Sequence, residues 1–368
     1  MTAEPDTIDL ERLYDEDFVA WSREQAAALR RLAATRPGVS GIDFPHLIEE
    51  VGDLGRAESR AVESQIGRII EHCLKLSCSP AEDPRRQWQL SIRAARREIR
   101  DRITPVLLHE LRAALDEVIA IELAGGDDSQ PEFRFGHRRG QEQTATGQAP
   151  RPITQYVNMW KRSPAYERLI HHPVIAGVAA ALLETPRVRL WHDQVISKPP
   201  GENGHFRFHQ DFYLWPLRDP QILSCWLALD DATPENGCMH VVPRSHSDPR
   251  FGLEAYAAEQ AAKAAAEAAG HEPAESARQQ MAHEPASIGL PVELKAGECM
   301  FHHCLNFHAT PANVTDRQRR AHVMIFMAEG VRVNLAQSPR HPLIPTFEVG
   351  DGEPLVGAGY PLSKVVGA

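Results

Sequence analysis

The chain has 368 residues, with 40 basic against 50 acidic side chains and a formal net charge of -10. That balance argues against a general affinity for nucleic-acid phosphates and leaves small molecules or other proteins as partners. No apolar run approaches the ~20 residues of a membrane helix, and Met1-Thr-Ala-Glu-Pro-Asp6 has neither the basic nor the apolar region of a secretory signal, so a cytoplasmic protein that engages no membrane is expected.

Residues 10–124 carry apolar side chains at helical period. Asp15 to Asp17 can cap a first helix with Phe18, Trp21, Ala28, Leu29 and Leu32 on one face and Gln25 interrupting the stripe, ended by Pro37-Gly38. A second helix starts at Asp43 with Pro45 in its first turn and runs to near Cys78. Asp83-Pro-Arg-Arg-Gln-Trp88 opens a third, very basic helix, and Pro105 begins a fourth through Leu108, Leu111, Leu115, Val118 and Leu123. Four amphipathic helices with short connections predict a bundle over residues 1–124. Within it, Glu49, Glu50 and Asp53 read as a solvated face or as partners of the third helix's arginines rather than as a metal site.

Residues 125–152 are polar, rich in Gly, Pro and Gln, and form a linker. Beyond it, a helical stretch from Thr154 to about Leu183 precedes short alternating segments: Val188–Lys198, Phe206–Asp211, Ile222–Asp230, Met239–Val242, Val292–Leu294, Cys299–His303 and Ala321–Ala328. Turn signals such as Pro199-Pro-Gly201 and Glu235-Asn-Gly237 separate them, so residues 153–368 predict an antiparallel barrel or jelly roll with flanking helices. An alanine-rich helical insertion spans about 253–285, either a lid over a pocket or surface decoration. Cys73, Cys78, Cys225, Cys238, Cys299 and Cys304 form no CxxC pair and read as small buried apolar residues.

The chemistry concentrates in His205-Phe-Arg-Phe-His-Gln-Asp-Phe-Tyr-Leu-Trp215 and Asn306-Phe-His308-Ala-Thr-Pro-Ala-Asn313. On a strand, His209 and Asp211 leave the same face while Gln210 points away, so both can reach one metal ion, with His308 as a third ligand. Two imidazoles and one carboxylate leave positions open on the metal, the donor set of a non-haem Fe(II) oxygenase. Seven further histidines (His192, His205, His240, His246, His302, His303 and His322) lie in or near strands; their expected role is hydrogen bonding around the site rather than ligation.

Two family resemblances are carried by longer sets of residues. Tyr14-Asp-Glu-Asp-Phe-Val-Ala-Trp21, Leu47-Ile-Glu-Glu-Val-Gly-Asp-Leu-Gly-Arg56, Trp88 and Arg96-Arg-Glu-Ile99 resemble the bacterial domain-of-unknown-function family 29. Leu190-Trp-His-Asp-Gln194, Lys198-Pro-Pro-Gly201, His209-Gln-Asp211, Trp226-Leu-Ala-Leu-Asp-Asp231, Pro234-Glu-Asn-Gly-Cys238, Val242-Pro-Arg-Ser-His246, Ala296-Gly-Glu298 and His308-Ala-Thr-Pro-Ala-Asn313 with Arg319 resemble the phytanoyl-CoA dioxygenase family of Fe(II)- and 2-oxoglutarate-dependent oxygenases, over residues 153–335.

The second resemblance implies a double-stranded β-helix with iron on His209, Asp211 and His308 and the distal carboxylate of 2-oxoglutarate on Arg319. A guanidinium suits that task because it grips a carboxylate through two parallel hydrogen bonds. Strand alternation turns Arg320 the other way from Arg319. Asn313 and Thr310 either order the turn or contact the cosubstrate, Trp226 either packs the core or walls the cosubstrate, and Lys198 either stands at the pocket mouth or is solvated. The implied reaction spends O2 on oxidative decarboxylation of 2-oxoglutarate, coupled to hydroxylation of a small organic substrate. Residues 126–160 offer little with strand character, so the oxygenase unit is expected to be shortened at its start. Two other readings stand beside this one: a catalytically silent metal- or ligand-binding module whose bundle engages a protein partner, and a zinc hydrolase on the same three ligands, against which Arg319 argues.

Overall fold

The computed structural model describes residues 18–35, 42–53, 105–123, 153–201 and 204–363. The basic third helix, the linker 125–152, Cys73 and Cys78 lie outside the described residues. The chain divides into two compact units, Met1–Leu107 and Leu108–Ala368.

In the first unit, α1 (Phe18–Thr35) buries Ser22 and Ala26 while Leu32 is 39% exposed, so the protected face is not the stripe expected from Trp21, Ala28 and Leu32. Helix α2 covers 44–53. The Asp43 carboxylate accepts from the backbone N of His46 at 3.3 Å, satisfying one of the first-turn donors as the sequence predicts.

The division between units falls inside α3 (Pro105–Leu123). Its Leu108, Leu111, Leu115 and Val118 are buried at the expected three- and four-residue spacing. From Leu108 onward it belongs with the second unit: Tyr166 donates to the Leu111 carbonyl at 2.9 Å, Arg112 Nε donates to the Leu229 carbonyl at 2.9 Å, and Glu110 pairs with Arg168 at 2.7 Å.

The second unit holds two antiparallel sheets. Strands β1 (Thr154–Val157), β2 (Val188–Lys198), β4 (Ile222–Ala228), β7 (Cys299–His303), β9 (Arg319–Ala328) and β10 (Leu362–Ser363) form the larger, in the order β1-β2-β9-β4-β7 with β10 beside β2. The smaller runs β3 (Phe206–His209), β8 (His308–Thr310), β5 (Met239–Val241), β6 (Leu290–Val292). Such a pair is consistent with a jelly roll. Trp191, Phe212, Trp215, Trp226 and Met300 belong to one buried apolar cluster, each large ring stabilising it by roughly 1.5–3 kcal/mol through burial.

Two expectations for this unit are corrected. Thr154–Val157 is a strand paired with Ser197–Gln194 of β2, not the start of a helix, so the sheet has the edge strand that the sequence between 126 and 160 did not suggest. Its polar Thr and Gln hide the alternation, and the helices α4 (Met159–Arg162), α5 (Pro164–Ile170) and α6 (Pro173–Leu182) follow only after Asn158 turns the chain in a left-handed conformation. The expected strand Val292–Leu294 is instead Leu290–Val292. The insertion forms two helices, α7 (Leu253–Ala269) and α8 (Ala277–His283), the latter opened by a reciprocal cap between Ser276 and Gln279. Cys225, Cys238 and Cys304 are buried and Cys299 half-buried, and none of the four is in a disulfide.

Candidate active site

The site is built where the smaller sheet meets a turn. In the β3–β8 pairing, His209 stands directly opposite His308, which brings their rings to a centroid separation of 4.3 Å. The third residue arrives by a route the sequence reading did not foresee: β3 ends at His209, and Asp211 is the first residue of a 3-10 turn, Asp211–Leu214. The intervening Gln210 is buried and donates through its amide to the carbonyls of Leu305 (2.6 Å) and Phe251 (3.2 Å), which fixes the bend. Asp211 Oδ1 then lies 3.4 Å from His209 Nε2 and 3.7 Å from His308 Nε2. One donor atom from each of the three residues falls within 4.8 Å of the others.

The imidazoles are oriented by their own backbone. Nδ1 of His209 lies 2.8 Å from the Arg207 carbonyl, and Nδ1 of His308 lies 3.0 Å from the Asn306 carbonyl. A carbonyl can only accept, so each Nδ1 carries the proton and each Nε2 presents a lone pair towards Asp211. Burial, helped by the neighbouring His209, pushes His308 down to about 3, so this ring is neutral at physiological pH. For Asp211 burial acts in the opposite sense, but a proton on a facing nitrogen of His308, His209 or His302 outweighs it and holds the carboxyl well below its ordinary range. Lone pairs and a carboxylate facing one small space form a set suited to a divalent cation.

Beside them, in the same cleft, stands Arg319, the first residue of β9. It is 1% exposed, its Cζ lies 5.5 Å over the Trp226 ring, and Nη2 donates to the Gly237 carbonyl at 3.0 Å. Among the described residues its Nε and Nη1 have no acceptor. Burial lowers its pKa to about 10, which still leaves it a cation at neutral pH. A buried guanidinium with unmet donors costs several kcal/mol unless an anion joins it. Among the described residues no carboxylate does so. Arg320 behaves as alternation requires: it turns away and makes a two-pronged pair with Asp230 at 2.8 and 3.0 Å.

The remaining expected residues divide. Trp226 and Thr310 line the cleft, and Thr310 Oγ1 is buried with no partner among the described residues. Asn313 is committed to its turn: its amide donates to the carbonyls of Lys198, Pro199 and Arg317, and its oxygen accepts from Thr315. Lys198 is neither solvated nor in the cleft lining. It is wholly buried, donates to the carbonyls of Thr310 and Pro311, and is pushed well below its usual pKa by burial and by Arg319. The cleft wall also includes His192 and His302, two of the histidines expected around the site, and Gln155 and Gln194, for which no site role was expected. Strand alternation through Gln194 and the His209–His308 layer was the signal that could have found them.

Comparison with known proteins follows the same lines. The family model for phytanoyl-CoA dioxygenase (PhyH) matches residues 98–321, and that for the domain of unknown function DUF29 matches residues 13–124. A probable phytanoyl-CoA dioxygenase of Caenorhabditis elegans is 27% identical over 41% of this chain and 46% of its own length. An ectoine dioxygenase of Bordetella bronchiseptica is 24% identical over 50% of this chain and 60% of its own. A phytanoyl-CoA dioxygenase domain-containing protein of Danio rerio is 34% identical over 23% of this chain and 29% of its own, so the chain spans less than two thirds of each of these relatives. Among solved structures, the epimerase SnoN in complex with Fe3+, alpha ketoglutarate and nogalamycin RO superposes with a TM-score of 0.51 at 24% identity, covering 73% of this chain and 98% of that one. The alpha ketoglutarate dependent carbocyclase SnoK superposes with a TM-score of 0.50 at 23% identity, covering 71% and 88%. At these identities the structures speak to the fold.

Proposed function

The chain belongs to the phytanoyl-CoA dioxygenase family, and within it we propose an Fe(II)- and 2-oxoglutarate-dependent dioxygenase that hydroxylates a small organic molecule. The observation that carries this reading is Arg319: a buried cation with unmet donors, in one cleft with two imidazole lone pairs and a carboxylate. A zinc hydrolase has use for the three ligands but none for a carboxylate clamp beside them.

In this reading His209 and His308 hold the metal through Nε2 and Asp211 through Oδ1. Iron with 2-oxoglutarate and O2 supplies the oxidising power, through decarboxylation to succinate. The protein's part is position and exclusion. Arg319 takes the distal carboxylate through Nε and Nη1, Thr310 offers its hydroxyl, and Trp226 walls that end against water. Lys198 and Asn313 act one layer out, by holding the segment between Thr310 and Arg317 in place. Substrate is left the end with His192, Leu214 and Trp215, a wall of mixed apolar and polar character suited to a small molecule.

The two sheets are read as the halves of a jelly roll spanning 153–368; because α3 belongs with that unit from Leu108 onward, the helical bundle proposed to engage a protein partner is placed before residue 108 rather than extending to 124. The test is anaerobic addition of Fe(II) and then 2-oxoglutarate to the metal-free protein. A weak visible charge-transfer band is expected, followed by succinate on admission of O2. Iron binding with no band would leave a silent metal-binding module, and binding of zinc with hydrolytic activity would replace the reading altogether.

A further inference from the structure

Among the polar side chains of the cleft that this reading leaves unused is His302. His302 lies on β7, is 6% exposed and lines the cavity, and among the described residues neither of its ring nitrogens has a hydrogen-bond partner. Its neighbour His303 points away, with Nδ1 accepting from the Leu305 backbone at 3.2 Å and its ring 5.4 Å from His246. A buried imidazole with both nitrogens idle costs free energy in the metal-free fold, which makes its orientation informative. The ring is 4.7 Å from that of His308, and Nε2 lies 3.6 Å from Asp211 Oδ2.

The two oxygens of Asp211 therefore face different groups. Oδ1 faces Nε2 of His209 and of His308, whereas Oδ2 faces His302. His302 stands outside the set of donors that lie within 4.8 Å of one another. The ring nitrogens of His209 and His308 are also differently supported: each has Nδ1 tied to a backbone carbonyl, and His302 has no such tie. A separation of 3.6 Å is too long for a hydrogen bond as it stands. A contact of this kind closes when a cation draws the opposite oxygen and fixes the carboxylate plane, since such bonds are loose in unliganded sites and tighten on loading.

We infer that His302 is a positioning residue, which donates Nε2–H to Oδ2 of Asp211 and so keeps that carboxylate bound to the metal through Oδ1 alone. The inference rests on the metal reading above. Its chemical consequence is an open position: a carboxylate that chelates through both oxygens would occupy a site on the ion that the cosubstrate or O2 requires.

The test compares the full chain with His302→Phe, which fills the space without a donor, and His302→Gln, which keeps an N–H. Thermal midpoints of the metal-free proteins first establish that all three fold. Each is then titrated anaerobically with Fe(II), and separately with Co(II), without cosubstrate or substrate. A supporting outlier of a metal ligand typically changes affinity by roughly 10–100-fold. His302→Phe is expected to weaken binding by that factor and to shift the Co(II) ligand-field bands, while His302→Gln restores affinity to within about threefold of the parent, below that range. Parent affinity and parent spectrum in His302→Phe would overturn the inference while leaving the metal reading intact. Equal loss in both variants would overturn the donor role in favour of the ring itself. A parent chain that binds neither metal would remove the underlying reading, and this inference with it.

Discussion

At the scale of single residues, some have a place that a strand pattern reveals and others depend on a neighbour from elsewhere in the chain. Arg319 belongs to the first kind, because alternation separates it from Arg320 and only one can face the cleft. Replacing it with Met should have opposite effects on two measurements. Two charge-assisted hydrogen bonds at about 1.5–3 kcal/mol each predict a loss of at least about 100-fold in 2-oxoglutarate affinity, with Fe(II) affinity unchanged. The metal-free protein should meanwhile gain roughly 1 kcal/mol or more, because a buried cation with unmet donors is gone. Equilibrium binding and denaturant unfolding read the two separately, and a destabilised Arg319→Met would mean the guanidinium is a structural strut. Gly237 belongs to the second kind. It sits at φ +83°, and a Cβ there would meet the Pro311 carbonyl at 2.5 Å and Lys198 Nζ at 3.0 Å. Its own carbonyl accepts from Arg319. Gly237→Ala should therefore cost at least about 1–2 kcal/mol in backbone strain and raise the KM for 2-oxoglutarate more than it weakens metal binding.

Elements, by contrast, show why the helical insertion was legible as helix but not as to purpose. Alanine content and the Ser276 to Gln279 spacing announce α7 and α8, yet nothing along the chain says what they touch. The turn that carries Asp211 also carries Tyr213, whose ring stacks on Tyr256 of α7 at 4.0 Å and 22°. Arg278 of α8 lies over both rings, at 5.4 and 5.2 Å, and is pinned by Glu259, whose Oε2 also accepts from Ser276. The insertion is thus fastened to the turn that supplies a proposed metal ligand. Arg278→Ala removes the cation that joins the two helices to the rings, at about 0.5–2 kcal/mol for such a contact. The expected result is faster limited proteolysis between residues 253 and 285 and a raised substrate KM, with global stability nearly unchanged. Unaltered cleavage would mean that stacking of Tyr213 on Tyr256 suffices. The same limit on sequence reading explains β1, whose Gln155 spends its polarity on Gln194 of the adjacent strand rather than on water, and Lys198, whose burial depends on carbonyls more than a hundred positions away.

On the scale of the whole chain, the histidines that surround the site tie its stability to pH. Burial pushes His192 and His303 to about 4 and His341 to about 3. For His341 burial acts together with the neighbouring His192, its ring packs 5.6 Å from Trp191, and its Nδ1 accepts from the Leu343 backbone at 3.2 Å. An unfolded histidine titrates near 6.5. Between that value and 4 the unfolded chain takes up protons that the folded one refuses, so stability falls as pH falls through this window. The slope is at most about 1.36 kcal/mol per pH unit for each group, or about 2 kcal/mol each by pH 5. The carboxylates held low, Asp211 and Asp219 among them, act in a separate window below their ordinary value of 3.8. The metal-free protein should accordingly lose thermal midpoint steadily from pH 7 to pH 5, above the window in which those two carboxylates act. His341→Gln, which keeps an acceptor for Leu343 but cannot take a proton, should flatten that slope by one group's share. A midpoint that is level from pH 7 to pH 5, or a slope unmoved in His341→Gln, would mean that these rings are charged in the fold and that burial is not what sets their chemistry.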